Sequence, residues 1–301
     1  MNRLITLALL SALLFAGFLS SAHAAERVGK VQSYKGVAAA VSDGKKRTLS
    51  LNDDLFSNDL IVTGSNSFLQ VMFEDGTVLA LDEYSEILLR DVVYSPGAAG
   101  RAGFNIDMIA GTCRFVTGQI TKHNPEKFKV GSPLGTIGIR GTEGGVLADM
   151  GNRQAFNADL DANINAPGAH WSPAVNPDVL TQTIAHFAGS ANKPISFSDR
   201  FGKTVDIPRG QALDVSAIAG AGAARGISEQ DKRNFKAADF STSVSVPSAY
   251  RGIFEGFSST PGNTGGIVGG GGGGENSAGP AAGGSSDSGG QSGHGGSTSG
   301  P

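Results

Sequence analysis

The stretch from Phe68 to Leu81 reads FLQVMFEDGTVLAL, and it decides the fold class of this chain. Two short apolar runs flank the dipeptide Asp75-Gly76, which supplies positive φ at both centres of a tight hairpin turn. Residues 68–73 and 77–81 are therefore predicted to form antiparallel strands with one well-buried face. Asp43-Gly44 gives the same turn signal upstream.

The same pattern extends in both directions from this hairpin. Between residues 28 and 149 the apolar runs are short and rich in Val, Ile, Phe and Leu, and turn residues return about every 8 to 12 positions. Few windows carry the spacing of an amphipathic helix. Strand character resumes at residues 194–197 and 205–215. We therefore expect one all-β domain over residues 25–216, with its core in residues 28–149.

Four segments in this region resemble, in order, the motifs of the FecR-type domain family: residues 59–64, 71–81, 111–115 and 132–142. Each segment alone is a weak signal, but the four together in the right order are specific. The chain departs from the pattern at Asn58, Ser132 and Gly135. The matching residues, expected to be structural or partner-binding, are Asp59, Thr63, Gly64, Asp75, Gly76, Gly111, Pro133, Gly138, Arg140, Gly141 and Thr142.

The resemblance implies an all-β periplasmic module with short strands in a solenoid-like or sandwich arrangement. The best-known family members are envelope-spanning regulators with a cytoplasmic anti-sigma segment, one membrane span and this domain outside, coupled to a TonB-dependent receptor. Only two residues precede Arg3 here, so we expect a secreted, stand-alone FecR domain protein that does not contact a sigma factor. Its expected partner is another envelope protein.

Arg140 lies between glycines that allow positive φ or close backbone approach. We predict that this arginine is buried and pins a loop to carbonyl or carboxylate groups. Partner recognition by Arg140 remains the alternative.

The N-terminus has the pattern of a secretory signal peptide. A positive start at Arg3 precedes an apolar run over residues 4–19, and Ala22-His23-Ala24 is a small-residue cleavage signal. The run is shorter than the roughly 20 residues that span a bilayer, which disfavours an uncleaved anchor. We expect residues 1–24 to be removed after Ala24, no transmembrane segment in the mature chain, and a periplasmic or extracellular location.

The C-terminal part divides into a linker with short helices and a tail. Ser228 followed by Asp231 predicts the start of a short helix through Asp239. Tyr250, Phe254 and Phe257 have helical spacing and predict either a stripe docked on the β domain or an exposed partner-binding helix. These features fall in residues 217–261. Residues 262–301 hold 18 of the 45 glycines and no Phe, Tyr, Trp, Leu or Met, so we expect a disordered tail.

Residues 151–185 interrupt the strand rhythm and are predicted to be a long surface loop. Asp159-x-Asp161-x-Asn163 imitates the start of a calcium loop, but Ile164 and His170 occupy positions that require glycine and glutamate. No metal site, cofactor or catalytic residue is predicted. The lone Cys113 is predicted to be buried.

Formal net charge is −3, which disfavours a nucleic-acid partner. The sequence therefore predicts a non-catalytic protein-binding or signal-relay module. The alternative is a structural scaffold or adhesion component tethered at the cell surface by the Gly-rich tail. The oligomeric state is left open.

Overall fold

The structure is a computed structural model that describes residues 26–94, 102–172 and 175–236. The predicted signal peptide, the stripe of Tyr250, Phe254 and Phe257, and the Gly-rich tail lie outside these residues.

Eighteen strands and three α-helices occupy the described residues, most of them short. The strands are β1 Arg27–Lys35, β2 Ala38–Ser42, β3 Lys45–Thr48, β4 Asp54–Phe56, β5 Leu60–Thr63, β6 Phe68–Phe73, β7 Val78–Leu81, β8 Glu86–Val93, β9 Gly103–Val116, β10 Phe128–Ser132, β11 Gly135–Gly138, β12 Thr142–Met150, β13 Val179–Gly189, β14 Ile195–Asp199, β15 Thr204–Ile207, β16 Gln211–Ser216, β17 Gly220–Ala221 and β18 Arg225–Gly226. The helices are α1 Ile120–His123, α2 Arg153–Asn165 and α3 Glu229–Asn234, with a 3-10 turn at Pro125–Lys127.

The strands form two sheets that share the long strand β9. Sheet 1 has the order β4-β1-β6-β7-β9-β12-β13-β16, with β17 and β18 paired to β16. Sheet 2 has the order β3-β2-β5-β8-β9-β10-β11-β14-β15. The pairing of β9 with β10 is parallel, and the others are antiparallel. The prediction of an all-β fold is confirmed, and its arrangement is a sandwich of short strands.

Aromatic side chains join the two sheets in the core. Phe104 of sheet 2 meets Phe73 of sheet 1 edge-on, with ring centroids 4.8 Å apart. Phe104 also stacks on Phe128 at 4.3 Å, and Phe128 lies 6.5 Å from Phe115 of sheet 1. All four rings are at most 2% exposed. Aromatic contacts of this kind add about 1 kcal/mol each to the stabilisation from buried area. The four rings therefore fix how the two sheets face each other.

Both predicted hairpins are present, but their turns differ. Asp43 and Gly44 have φ of 51° and 71°, as a two-residue turn between β2 and β3 requires. Between β6 and β7 only Gly76 has positive φ, at 82°. The prediction of positive φ at Asp75 is wrong, because the loop from residue 74 to 77 is longer and the Asp75 side chain bonds to Thr77 instead.

The prediction of a surface loop over residues 151–185 is also wrong. This region contains helix α2 and most of strand β13. Phe156, Leu160 and Ile164 form a buried stripe on α2. Lys46 Nζ donates to the carbonyls of residues 163, 164 and 166 at 2.6, 3.0 and 2.9 Å, which satisfies the C-terminal end of the helix.

Helix α3 begins where the sequence predicts but ends at Asn234 rather than Asp239. Ser228 Oγ accepts from Asp231 N, and the Asp231 side chain accepts from Ser228 N, which completes a capping box. Phe235 then packs edge-on against Phe187 at 5.3 Å. The helix therefore docks on the outer face of sheet 1.

Eight of the crossings between the sheets lie in two rows, one at each end of the strands, and two further crossings at residues 49–53 and 57–59 flank β4. The first crossover row comprises residues 36–37, 64–67 and 82–85 and the bend of β9 at Gly111. The second crossover row comprises residues 117–127, 139–141, 190–194 and 208–210. None of the helices in the described residues is long and apolar enough to cross a membrane.

Candidate partner-binding face

Thr63 and Gly64 hold the first crossover row together. Thr63 Oγ1 donates to the carbonyl of Asp82 at 2.6 Å and accepts from the amide of Ser85 at 2.9 Å. The amide of Gly64 donates to the carbonyl of Val37 at 2.9 Å. These bonds connect three of the crossovers, so both residues stabilise the fold.

Gly111 is the point at which β9 leaves sheet 2 and enters sheet 1. Its φ is 89°, and an added Cβ would lie 2.5 Å from both Ser85 Oγ and the Tyr84 carbonyl oxygen. Ser85 Oγ also accepts from the amide of Thr112 at 3.0 Å. Only glycine fits this bend, since a side chain meets both backbone strain and direct overlap.

Asp59 pins the turn before β5. Its carboxylate accepts from the amide of Phe56 at 2.9 Å and forms a close ion pair with Arg47. The residue is 1% exposed. Burial raises the pKa of Asp59 despite the opposing hydrogen bonds and the nearby Arg47. Because Asp59 is buried in a turn and paired with Arg47, we assign it a structural role.

Asp75 and Gly76 fasten the tip of the β6–β7 hairpin to the loop after β9. Asp75 accepts from the amide and hydroxyl of Thr77 at 2.9 and 2.8 Å. Thr77 Oγ1 in turn accepts from the amide of Gly118 at 2.9 Å. Burial raises the pKa of Asp75, which these hydrogen bonds oppose. The tip of the hairpin is thus tied to the start of the second crossover row.

Pro133 and Gly138 lie at the two ends of the short hairpin arm that includes β11. Pro133 is exposed in the turn between β10 and β11. At Gly138 an added Cβ would lie 2.7 Å from Ser196 Oγ. Gly138 therefore allows β14 to approach β11 closely.

Gly141 and Thr142 connect the loop at residues 139–141 to its neighbours in the second crossover row. Gly141 has φ of 103°. The amide of Thr142 donates to Thr117 Oγ1 at 2.9 Å, and the amide of Thr117 donates to the Thr142 carbonyl at 3.2 Å. Thr142 Oγ1 donates to the carbonyl of Ala188 in a short hydrogen bond. Thr142 is fully buried, so its role is structural.

The prediction that Arg140 is buried and pins a loop is wrong. The side chain is exposed, and it makes no hydrogen bond or ion pair with any described residue. Burial of Ile139 and the bonds of Thr142 fix the loop without it. The pinning role that the sequence assigned to Arg140 belongs to the threonines. The Arg140 guanidinium group is thus exposed on a loop whose backbone other residues hold in place.

Three other exposed cations of this row were not singled out from the sequence: Lys122, Lys193 and Arg209. Each lies in a separate loop and has no motif around it, so only the order of strands in the two sheets brings them near Arg140. The signal is a basic residue in each of the four loops of the second crossover row, and it can be recognised only once the strand order is known.

Glu86 is a second feature that the sequence did not reveal. It is 6% exposed and faces Asp159 of α2. Burial, together with repulsion from Asp159, raises the pKa of Glu86 to about 7. This carboxyl group lies below a helix that the sequence did not predict.

An open cleft of about 510 Å³ lies beside the Gly111 bend. Arg153 pairs there with Asp149, and Arg233 donates to Gln230 at 2.7 Å. The described residues that line it include no Ser, Cys or His side chain. Across residues 26–94, 102–172 and 175–236, no group of three or more His, Cys, Asp or Glu side chains is placed to hold a metal ion.

Cys113 is fully buried in β9, as predicted. Burial raises the pKa of its thiol to about 12. A thiol in this state is not a nucleophile at neutral pH.

One comparison with known proteins, that with a family model, covers the four motif segments. Residues 59–155 match the family model described as FecR protein. No curated protein matches the chain. Two crystal structures, each described as a "putative anti-sigma factor" from Parabacteroides distasonis, resemble it at TM-scores of 0.39 and 0.37 and identities of 12% and 13%. They align with 59% and 57% of this chain, which spans 63% and 61% of their own lengths, less than two thirds in each case. Residues 59–155 of this β sandwich are a FecR-type domain.

Proposed function

We propose that the protein is an exported, non-catalytic FecR-type module that binds another protein of the cell envelope and relays a signal through that contact. The observation that carries the proposal is the exposure of Arg140. An arginine that holds a loop is buried or paired, whereas this one is exposed and without a partner among the described residues.

The surroundings of Arg140 support a binding role. Thr142 and Thr117 fix the backbone on which it stands, so its side chain is presented from a rigid base. Arginine is enriched among the residues that dominate protein interfaces, because its planar group forms several hydrogen bonds at once. A rigid base lowers the cost of ordering on binding.

Export rests on the sequence of residues 1–24, which predicts a cleaved signal peptide. The relay would then take place in the periplasm or at the cell surface. Because this location is outside the cytoplasm, direct contact with a sigma factor is not part of the proposal.

Crosslinking in intact cells followed by mass spectrometry tests the proposal. The wild-type chain, Arg140→Ala and the control Lys35→Ala are compared, since Lys35 is exposed on β1, far from the second crossover row. We expect a reproducible envelope-protein partner that Arg140→Ala loses and Lys35→Ala keeps. A partner unaffected by Arg140→Ala overturns the role of this face. Crosslinks only between copies of the chain indicate a scaffold instead, and no crosslinked protein at all overturns both functions.

A further inference from the structure

The four loops of the second crossover row lie side by side. The strands β10, β11, β14 and β15 are successive neighbours in sheet 2. The strands β9, β12, β13 and β16 are successive neighbours in sheet 1. Each loop joins one strand of the first set to one of the second, so the loops follow one another at about the 5 Å spacing of strands.

Hydrogen bonds confirm that neighbouring loops are in contact. Thr117 and Thr142 connect the first loop to the second, and Thr142 bonds to Ala188 just before the third. Arg209 Nη1 donates to the carbonyl of Gly189 at 3.4 Å, which connects the fourth loop to the third. The row is therefore a continuous, rigid edge of the sandwich.

Each loop of this edge carries one exposed cation. We call the set of Lys122, Arg140, Lys193 and Arg209 the basic ridge. None of the four forms an ion pair with any residue that the structure describes. The loops themselves contain a single acidic residue, Glu126, and the exposed Asp206 lies on the adjoining strand β15.

The ridge is a local excess of positive charge on a chain whose formal net charge is −3. Four cations on neighbouring loops cover about 15 Å, which is the length of about five residues of extended polypeptide. Acidic side chains on an extended segment recur on one side about every 7 Å, so two or three of them can meet the ridge at once. Complementary charge of this kind fixes the register of a partner and speeds its association.

The ridge lacks what insertion into a lipid bilayer needs. The large apolar side chains found exposed in the described part of the chain lie elsewhere: Tyr34, Val37, Leu51, Leu180, Phe201 and Ile218. Membrane-surface elements combine cations with such apolar residues. A protein segment is the better match to a rigid row of charges without an apolar neighbour.

We propose that the basic ridge binds an extended acidic segment of the envelope protein that this module recognises. The inference rests on the proposed function, because it names the chemistry of the partner. Arg140 supplies the central cation, and Lys122, Lys193 and Arg209 extend the contact along the edge.

The test uses the full chain without its signal peptide and a fluorescent peptide of ten glutamates as the probe. Binding is measured by fluorescence anisotropy at low and at raised salt, with a peptide of ten glutamines as the neutral probe. Arg140→Glu/Arg209→Glu is compared with Lys35→Glu/Lys236→Glu, which changes net charge equally at exposed sites off the ridge. Lys193→Glu is a second ridge variant, and circular dichroism checks that each variant folds.

We expect the glutamate peptide to bind, to bind more weakly at raised salt, and to lose about tenfold or more in affinity in the ridge double variant. Lys193→Glu should lose affinity in the same direction, and the control double variant should remain close to wild type. Equal loss in both double variants would mean that net charge alone attracts the probe and would overturn the ridge. Vesicles of phosphatidylglycerol that bind better than the peptide, with the same dependence on the ridge, would assign the ridge to lipid headgroups and overturn the inference.

The peptide-binding test of the ridge and the crosslinking test of the proposed function can fail independently. If no binding of the peptide is seen while the crosslinked partner still depends on Arg140, the acidic segment is refuted and the binding module stands. If the peptide binds at the ridge but no partner is crosslinked in cells, the chemistry of the ridge stands and the proposed function fails.

Discussion

Replacing Glu86 by glutamine should stabilise the protein at neutral and alkaline pH but not in acid. Glu86 is buried below α2, and burial together with the charge of Asp159 raises its pKa from 4.5 to about 7. An acid whose folded pKa is raised holds its proton in the folded state and releases it in the unfolded state. The contribution of Glu86 to stability is therefore fully present below pH 4.5 and is lost as the pH rises through about 7.

The two pKa values set the size of the effect. The difference between 4.5 and about 7 corresponds to about 3 kcal/mol of folding free energy at pH 8 and above. Glutamine has the shape of the protonated acid and no charge. Glu86→Gln should therefore gain up to about 3 kcal/mol over wild type at pH 8 and nothing at pH 4.

Urea unfolding followed by circular dichroism at pH 4, 6 and 8 measures this difference. The exposed Glu126→Gln is the matched control and should follow wild type at each pH. Asp159→Asn should give a smaller gain in the same direction, because it removes the repulsion but leaves the burial of Glu86. Parallel pH profiles for wild type and Glu86→Gln, or a less stable variant at pH 8, would refute the reasoning.

Four further outcomes test the roles of single residues. Gly111→Ala should lower the free energy of unfolding by more than about 2 kcal/mol in a denaturant titration, because its Cβ overlaps Ser85 and Tyr84; Gly202→Ala has the same φ of 89° but open space, so a loss equal to that of Gly111→Ala would contradict the packing argument. Ser228→Ala should cost about 1 kcal/mol by the same titration, since it removes the capping box of α3, and an unchanged midpoint would mean that the cap is not needed. Cys113 should resist labelling by iodoacetamide at pH 8 until the chain is unfolded in guanidinium, and rapid labelling of the native protein would show that the thiol is accessible. Arg140→Ala should change the free energy of unfolding by no more than about 0.5 kcal/mol, as a surface substitution does, and so leave the thermal midpoint close to wild type; a large decrease would restore its structural role.

Local signals in the sequence predict the two hairpins and the start of α3. Asp43-Gly44 specifies a hairpin through its own backbone, and the apolar runs on both sides of Asp75 and Gly76 predict β6 and β7. Ser228 predicts the start of α3 because its partner Asp231 is only three residues away. Each of these features depends on residues close together in the chain.

Helix α2 escaped prediction because much of its stability comes from distant contacts. Its apolar stripe consists of only three residues, Phe156, Leu160 and Ile164, within a polar stretch. Its C-terminal carbonyls are satisfied by Lys46, more than 100 residues away in the sequence. Tertiary packing therefore supplies the stability of α2 that its local helix propensity does not.

The candidate site depends still more on topology. The sequence gives the motif around Arg140, but burial of that side chain was inferred from glycines that in fact position the backbone. Lys122, Lys193 and Arg209 have no shared motif and become neighbours only through the interleaved strand order of the two sheets. A single sequence does not specify that order.

The measurement that bears most directly on the central claim is the yield of partner crosslinks in intact cells for Arg140→Ala, together with its thermal midpoint. If Arg140 binds the partner and does not hold its own loop in place, the partner crosslinks are lost while the thermal midpoint stays at the wild-type value. Crosslinks that persist at the wild-type yield, or that disappear together with a large fall in the midpoint, would contradict the assignment of this face to partner recognition.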